Sequence, residues 1–526
     1  MTMFQQLRIW LHRASTAERT TTGLAVIIVV ALLSYLIVPV TGGSATAALQ
    51  ANSGFPTPTG ANTPTGPGVA ASPGAIATPG TIGGTTGGPQ PTGPSSAVGG
   101  GNPSFPGGTT GGPASGGSTR QCTSAAAGQG VTATELKLAV TIVNLVGAVG
   151  NGAVGVPSPA EQEKDYGEVA DTINKAGGAA CRKLVLTFYT VNPLDPSNTQ
   201  SQCQAIADSK PFAALDLGAL TDVGASDCIP QQKIPLISQF VSKDQAKAYY
   251  PYYINPLSLS EDNYHNGYLG ASQKGYFNAA SGFKKLGIIY QKCRPSVVAA
   301  GRDALRNAGI PDSATVTYNM GCPPERQNTA ADFQQAVLNF QQAGVTHVTE
   351  IDSSGWAGFT QAAAQQKFKP KYVFAEDAAA NDFSGSQAPD PANFDGAVNV
   401  IGRRLGEAKT PGFKPSAGTA RCNNIYAAHG QKPVYQQGAG YGGVVCNLLW
   451  FVVGVVEHSS VLQRNMIVGS MHMVGSIDNS YPWGPVDFSS FPAGTPYGRE
   501  SWRIDQFHAS NASWQVQDPT FHPPFA

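Results

Sequence analysis

From residue 135 onward, short apolar runs alternate with longer polar stretches of helical period, and this alternation leaves few architectures open. The runs at 136–143, 184–189, 213–217, 235–238, 285–290, 315–318, 347–351 and 372–375 read as strands. Helices fit between them at 160–176, 198–208, 222–227, 261–280, 296–308, 328–343 and 355–367. Such alternation predicts an α/β fold, with parallel sheets covered by helices on both faces. The strands fall into two groups of four, and Tyr252-Tyr253-Ile254-Asn255-Pro256 between them reads as a crossing strand. After Val400 the pattern turns helical, with 433–458 the longest candidate, and the chain ends in strand-like runs at 502–508 and 513–517. The expectation is two α/β lobes that share crossovers.

Charge separates this part of the chain from what precedes it. Charged residues make up 13% of the 526, and none occurs between Arg19 and Arg120. Three of the 33 basic residues and one of the 33 acidic ones lie in 1–119, which leaves 30 and 32 in 120–526, a net charge of −2. With no basic run, nucleic acid is not expected as a partner. Residues 23–40 form an uncharged, mostly apolar stretch of 18, about the length that crosses a bilayer. Arg8, Arg13 and Arg19 precede it and no basic residue follows it closely, so residues 1–22 are expected in the cytoplasm. The stretch reads as a transmembrane anchor or uncleaved signal. The alternative is a signal peptide cleaved near Ala45-Thr46-Ala47, which would release the protein. Both readings place the rest of the chain outside the cytoplasm, on a cell membrane in the first case. Residues 41–119, almost entirely Gly, Pro, Thr, Ser and Ala, have too little apolar surface to offset chain entropy and read as a disordered linker. A flexible coil of that length spans roughly 50 Å, which suits a tether.

Gly150-x-Gly152-x-x-Gly155, inside GAVGNGAVG at 147–155, spells a dinucleotide fingerprint, but its context fails. The first glycine stands well past the strand that ends near Val143, and Val156-Pro157-Ser158-Pro159 delays the helix. Tyr189-Thr190-Val191-Asn192 stands where an acid would hold a ribose. The stretch reads instead as a long lip on the first lobe. No Gly-x-Ser-x-Gly elbow occurs, since Gly270-Ala271-Ser272-Gln273-Lys274 lacks the second glycine, and no P-loop is present. Histidines 12, 265, 347, 429, 458, 472, 508 and 522 show no metal-ligand spacing, and His347 reads as a core residue of a strand. Neither an enzyme nor a cofactor or metal is expected. The cysteines number eight: Cys122, Cys181, Cys203, Cys228, Cys293, Cys322, Cys422 and Cys446. An even count outside the cytoplasm points to disulfides. Sequential pairing, 122–181, 203–228, 293–322 and 422–446, is expected because each pair then brackets one βα unit or helix pair.

Five stretches together resemble a known family. LKLAVTIVN is followed by a Gly-rich loop and the helix EQEKDYGEVADTINKAGG; Cys203 and Cys228 flank the third strand; IPLIS lies at 234–238; KKLGIIYQ opens the second group; and GPVDFSS and RIDQFHASNASWQ close the chain. In this order they resemble the type I periplasmic binding proteins, the branch of the Leu/Ile/Val-binding and amide-binding receptors of ABC transporters, over about 133–526. The resemblance implies two Rossmann-like lobes with parallel sheets joined by hinge crossovers. It divides the chain into lobe I, 120–256 plus about 402–475, and lobe II, 257–401 plus about 476–526. It also implies a small-molecule ligand caught between the lobes and an ABC permease as partner. A membrane-tethered ligand sensor or envelope interaction module of the same fold is the alternative.

Ligands of open α/β sheets bind beyond the carboxyl ends of the strands. That rule selects Asn144, Tyr189, Gly218 to Thr221, Ser238 to Phe240, Gln291, Asp352 to Trp356, and Glu376 with Asp377. The resemblance implies that Gly218, Ala219 and Thr221, with Ser238, Gln239 and Phe240, hold a ligand carboxylate. It implies that Trp356 packs on the ligand, and that Glu376 or Asp377 meets an ammonium group. Here the hydroxyl cluster is reduced to Thr221, and Ser238-Gln239-Phe240 replaces the usual small loop, so a larger or aromatic amide-like solute fits as well. Each residue has a plainer reading. Asp352 and Thr221 also read as helix caps, Phe240 as core, Trp356 as packing between lobes, and Glu376-Asp377 as a solvated loop.

Overall fold

The computed structural model describes residues 125–525, apart from 127, 146–150, 152–155, 194, 221–226, 322–327, 353–355, 376–388 and 438–439. The anchor and linker at 23–40 and 41–119, Cys122, Cys322, Thr221, Glu376 and Asp377 therefore lie outside the described residues. Among the described residues no helix is long and apolar enough to cross a membrane.

The first sheet takes β1 (Glu135–Val143), β2 (Lys183–Val191), β3 (Ala213–Asp216), β4 (Leu236–Ser238) and β5 (Tyr253–Ile254). All pair in parallel, in the order β2-β1-β3-β4-β5. β1 is buried along nearly its whole length, as expected of an inner strand of a sheet covered on both faces. β2 mixes buried and exposed positions because it forms an edge.

The second sheet takes β6 (Leu286–Gln291), β7 (Thr315–Met320), β8 (His347–Ile351), β9 (Lys371–Phe374), β10 (Val398–Ile401), β11 (Trp502–His508) and β12 (Ser513–His522). Its order is β12-β11-β10-β9-β8-β6-β7, parallel from β7 to β10 and antiparallel at β11 and β12. The first five strands thus repeat the order of the first sheet. The eight strands expected from sequence are all present. The crossing run at 252–256 is the fifth strand of the first sheet, and β10 is a further strand, just before the helical pattern expected after Val400. β10 is only four residues long and wholly buried, and hydrophobic period cannot assign so short a run.

The helices are α1 (Pro159–Lys175), α2 (Pro196–Ser209), α3 (Cys228–Gln231), α4 (Lys243–Ala248), α5 (Ser260–Gln273), α6 (Pro295–Asn307), α7 (Ala330–Gln342), α8 (Trp356–Gln365), α9 (Pro391–Phe394), α10 (Ala417–Ala428), α11 (Tyr441–Glu457) and α12 (Ile467–Val474). Ser158 caps α1 in a capping box with Glu161, and Pro159 fills its first position, which fixes where the glycine-rich stretch ends. The expected helix at 433–458 is shorter, because Gly440 turns at φ +72° just before α11. The expected helix at 261–280 stops at Gln273, with Gly275 at φ +84°.

Alternate residues of β1 (Leu136, Leu138, Val140, Ile142) pack with Tyr166, Val169 and Ile173 of α1 and with the apolar length of α11. Tyr481, Trp483, Val486 and Phe488 belong to the same core. The chain therefore leaves the first sheet after β5, returns to it with α10 to α12, and stays with it to Phe488. Ala139 and Val143 face the other way, onto α2 and α3. The Cys203–Cys228 disulfide joins α2 to α3, and Cys422–Cys446 joins α10 to α11. A bridge closing a loop of that length stabilises by roughly 3 kcal/mol on a chain-entropy argument. Cys181 and Cys293 are also disulfide-bonded, and their expected partners lie outside the described residues.

Asp165 of α1 is buried where α1 meets Gln431, whose Nε2 donates to it at 3.2 Å. Burial pushes its carboxyl up to about 7, against the opposing hydrogen bond from Gln431 and with a further push from Glu168. Because this lies above the unfolded value of about 4, the stability it contributes is present below about pH 4 and is lost as pH rises through about 7. Asp165→Asn should remove that fall, on the order of 2 kcal/mol, in urea unfolding compared at pH 5 and pH 8. The same pH dependence in both proteins would contradict this account.

Candidate functional site

In each sheet the strand order reverses between the first and third strands, and this is where an open α/β sheet presents a crevice. In the first sheet that position lies between the ends of β1 and β3. Gln162 of α1 holds the end of β1, accepting the Val143 N–H at 3.0 Å and donating to its carbonyl at 2.8 Å. The fully buried Asn151 donates to the same carbonyl at 2.8 Å and accepts the Leu145 N–H at 2.8 Å. At Asn151 the glycine-rich stretch is therefore pinned to the end of the strand.

β3 ends in Asp216, which is buried and which sequence reasoning missed. Thr141 Oγ1 on β1 donates to it at 2.6 Å, and the N–H groups of Gly218, Ala219 and Leu220 donate at 3.1, 3.1 and 3.0 Å. Ser238 Oγ on β4 adds a contact at 3.4 Å. Gly218 sits at φ +104°, which glycine alone adopts without strain. Burial raises the Asp216 carboxyl, while its hydrogen bonds act to lower it. This cage occupies the backbone donors of Gly218 and Ala219 that the family resemblance would aim at a ligand carboxylate. Ser238 is buried, and its Oγ also accepts the Phe240 N–H at 3.3 Å. Gln239 Oε1 accepts the Trp483 indole N–H at 3.1 Å, and Phe240 is 43% exposed, so it is not a core residue. Tyr189 and Asn144 are half-buried at the ends of β2 and β1, and the Asn144 N–H donates to Val191 at 2.8 Å.

In the second sheet the equivalent position lies between β6 and β8. Gln291 ends β6, is buried, and donates from Nε2 to the Gly321 carbonyl at 2.8 Å. Asp352 follows β8 in a left-handed conformation, φ +52°, and is buried. Its N–H donates to the Tyr264 hydroxyl at 2.6 Å, and its carboxylate takes Arg294 Nε at 2.8 Å and the Arg294 N–H at 3.1 Å. Burial raises this carboxyl and Arg294 opposes the rise. Trp356 opens α8. Asp216 and Asp352 thus stand at matching places in the two sheets, one held by backbone N–H groups and the other by a guanidinium.

The three chain segments that pass between the sheets meet in a second set of buried charges that sequence reasoning did not single out. Glu500 Oε2 accepts the Ser258 hydroxyl at 2.6 Å and its N–H at 3.3 Å, while Arg403 Nη1 stands 3.8 Å from Glu500 Oε1. Glu407 Oε1 accepts from Arg404 Nη1 at 2.9 Å and from Arg503 Nη1 at 2.7 Å. Arg404 also binds Asp478 and, at 3.2 Å, the Asn479 carbonyl. Arg503 Nε lies 3.3 Å from Asp505, whose carboxyl burial pushes up to about 6 against that guanidinium. Phe521 lies under both Arg404 and Arg503, at 5.0 and 4.7 Å. The one signal in the sequence is the doublet Arg403-Arg404 directly after a buried strand, in a chain poor in charge. Among the described residues no group of three or more His, Cys, Asp or Glu is placed to hold a metal.

No family model and no curated protein matches the chain. Solved structures do. A fatty acid ABC transporter substrate-binding protein from Thermomonospora curvata has a TM-score of 0.52 and 15% identity, covering 75% of this chain and 94% of that one. A solute binding protein of an ABC transporter from Rhodopseudomonas palustris BisB5, in complex with 3,4-dihydroxy benzoic acid, has a TM-score of 0.51 and 15% identity, covering 74% and 98%. A leucine binding protein from Thermotoga maritima MSB8 has a TM-score of 0.51 and 10% identity, covering 73% and 98%. These likenesses show the fold, that of the type I periplasmic binding proteins.

The Asp216 cage has a measurable cost of removal. Asp216→Ala leaves a hydroxyl and three backbone N–H groups without their acceptor, and urea unfolding should show a loss of about 3 kcal/mol. A loss below about 1 kcal/mol would mean that the turn at 217–220 holds itself.

Proposed function

We propose that this chain is an extracytoplasmic solute-binding protein, and not an enzyme, that captures a small organic ligand between two lobes by hinge closure. Lobe I is residues 120–256 with the return of the chain from about 402. Lobe II is 257–401 with the C-terminal strands. The contacts of Tyr481 to Phe488 in the first core carry lobe I past the boundary near 475. The observation that carries the reading is the repeated strand order, which gives each lobe its own crevice position, with β1 and β3 in one and β6 and β8 in the other.

The ligand is amino-acid-, amide- or aromatic-acid-like. Leucine, a fatty acid and 3,4-dihydroxybenzoate, named for proteins of this fold, share a carboxylate on an apolar body, and the exposed Phe240 ring suits such a body. In lobe I the contacts come from Asn144, Tyr189, Thr221, Gln239 and Phe240. In lobe II they come from Gln291, Asp352, Trp356, Glu376 and Asp377. Because Asp216 holds the N–H groups of Gly218 and Ala219, those two residues and Ser238 shape the wall. The anchor at 23–40 and the linker at 41–119 tether the lobes to the cell membrane on its outer side, and the loaded protein delivers its ligand to an ABC permease.

A thermal-shift screen of leucine, amides, 3,4-dihydroxybenzoate and a medium-chain fatty acid tests the reading. A true ligand at 100 times its dissociation constant adds about 2.7 kcal/mol, and Phe240→Ala should weaken that response at least several-fold. Absence of a response to every one of these classes would contradict the reading.

A further inference from the structure

A cavity of 430 Å³ lies between the start of α5, the second half of α6, the segment 491–499 and the C-terminal residues Pro524 and Phe525. None of the residues assigned to the cleft lines it. Its volume is in the range of pockets that hold small organic molecules. Most charges in its walls already have partners. Asp262 is paired with Lys243 at 2.8 Å, Asp303 with Arg306, and the Arg499 guanidinium lies over the Phe491 ring at 4.6 Å.

Glu261 differs. It lines the cavity, is only 3% exposed, and makes no ion pair among the described residues. Its Oε1 accepts the Lys243 N–H at 3.0 Å, and its Oε2 is buried with no hydrogen-bond partner among the described residues. A buried carboxylate oxygen without a donor is costly, and the cost is relieved most fully by a cation that also donates a hydrogen bond. The same cavity is walled by Tyr497 and Phe525, and aromatic faces attract an organic cation and cover its apolar part. A metal ion fits poorly, because one carboxylate oxygen with spare capacity is far from a full coordination shell.

We propose that this cavity is a second ligand site, separate from the cleft, that takes a small organic cation with its ammonium group on Glu261 and its apolar body against Tyr497 and Phe525. The cavity wall includes Lys243 at the start of α4, between β4 and β5 of the first sheet, α5 and α6 beside the second, and the segment 491–499 that runs between the two. An occupant therefore contacts segments from both sides of the crossovers.

Titration calorimetry of the full chain with phenethylammonium, and with 2-phenylethanol as its uncharged analogue, tests the proposal. The ammonium probe should bind, the alcohol should bind at least about tenfold more weakly, and Glu261→Gln should lose about tenfold in affinity for the ammonium. Asn307→Trp, at an exposed position on the rim, should block binding without touching the buried carboxylate, which covers the case in which Glu261→Gln folds poorly. Phe240→Ala, in the cleft, should leave binding of the ammonium unchanged. Equal affinity for amine and alcohol, no effect of Asn307→Trp, loss on Phe240→Ala, or no binding of the ammonium at millimolar concentration would each overturn the proposal.

Discussion

The buried charges at Arg403, Arg404, Glu407, Glu500 and Arg503 constrain everything else in this structure. A charge taken out of water survives only if its partners are in place, and removing one member of a buried pair typically costs about 3–5 kcal/mol. Here the partners sit on different passages of the chain between the sheets. Ser258 belongs to the first passage, Arg403 to Glu407 to the second, and Asp478 to Glu500 to the third. The three passages are therefore tied to one another by groups that cannot separate without stranding a charge. In the hinge closure proposed above, these ties would hold the three passages together while the sheets turn.

The two sheets obey one plan, and their differences follow from how each meets the need of a buried aspartate. Asp216 and Asp352 both close the third strand of their sheet, at the place where a crevice opens. Asp216 is satisfied by a turn of backbone N–H groups and by Thr141, and the turn fixes Gly218 as glycine. Asp352 is satisfied by Arg294, the residue just before α6. Glu261, whose Oε2 has no hydrogen-bond partner among the described residues, lines a different cavity.

Much of the fold was legible in the sequence because its signals are local. The strand runs, the capping box at Ser158 and Glu161, and the pairings Cys203–Cys228 and Cys422–Cys446 depend on residues near one another in the chain. The strand β10 was not legible, because four buried residues carry no period and their neighbours, β9 and β11, are set by the tertiary fold. The Asp216 cage and the arginine network were also hidden. Thr141 and Asp216 stand 75 residues apart, and Glu407 and Arg503 stand 96 apart, so their chemistry exists only once the topology brings them together. The strand-end rule selected Ser238, Gln291 and Asp352 by position alone, and their hydrogen bonds to Asp216, Gly321 and Arg294 were hidden for the same reason.

Closure about the ionic hinge is the central claim, and a distance measured across the cleft tests it most directly. Spin labels on cysteines introduced at Ser197 and Lys292, exposed residues just past the carboxyl ends of β2 and β6, report the separation of the two lobes in the full chain. Once a ligand has been identified by its stabilising effect, saturating the protein with it should shorten that separation by more than about 2 Å. A separation that stays the same with the tight ligand bound would contradict hinge closure and leave the chain a rigid binding module.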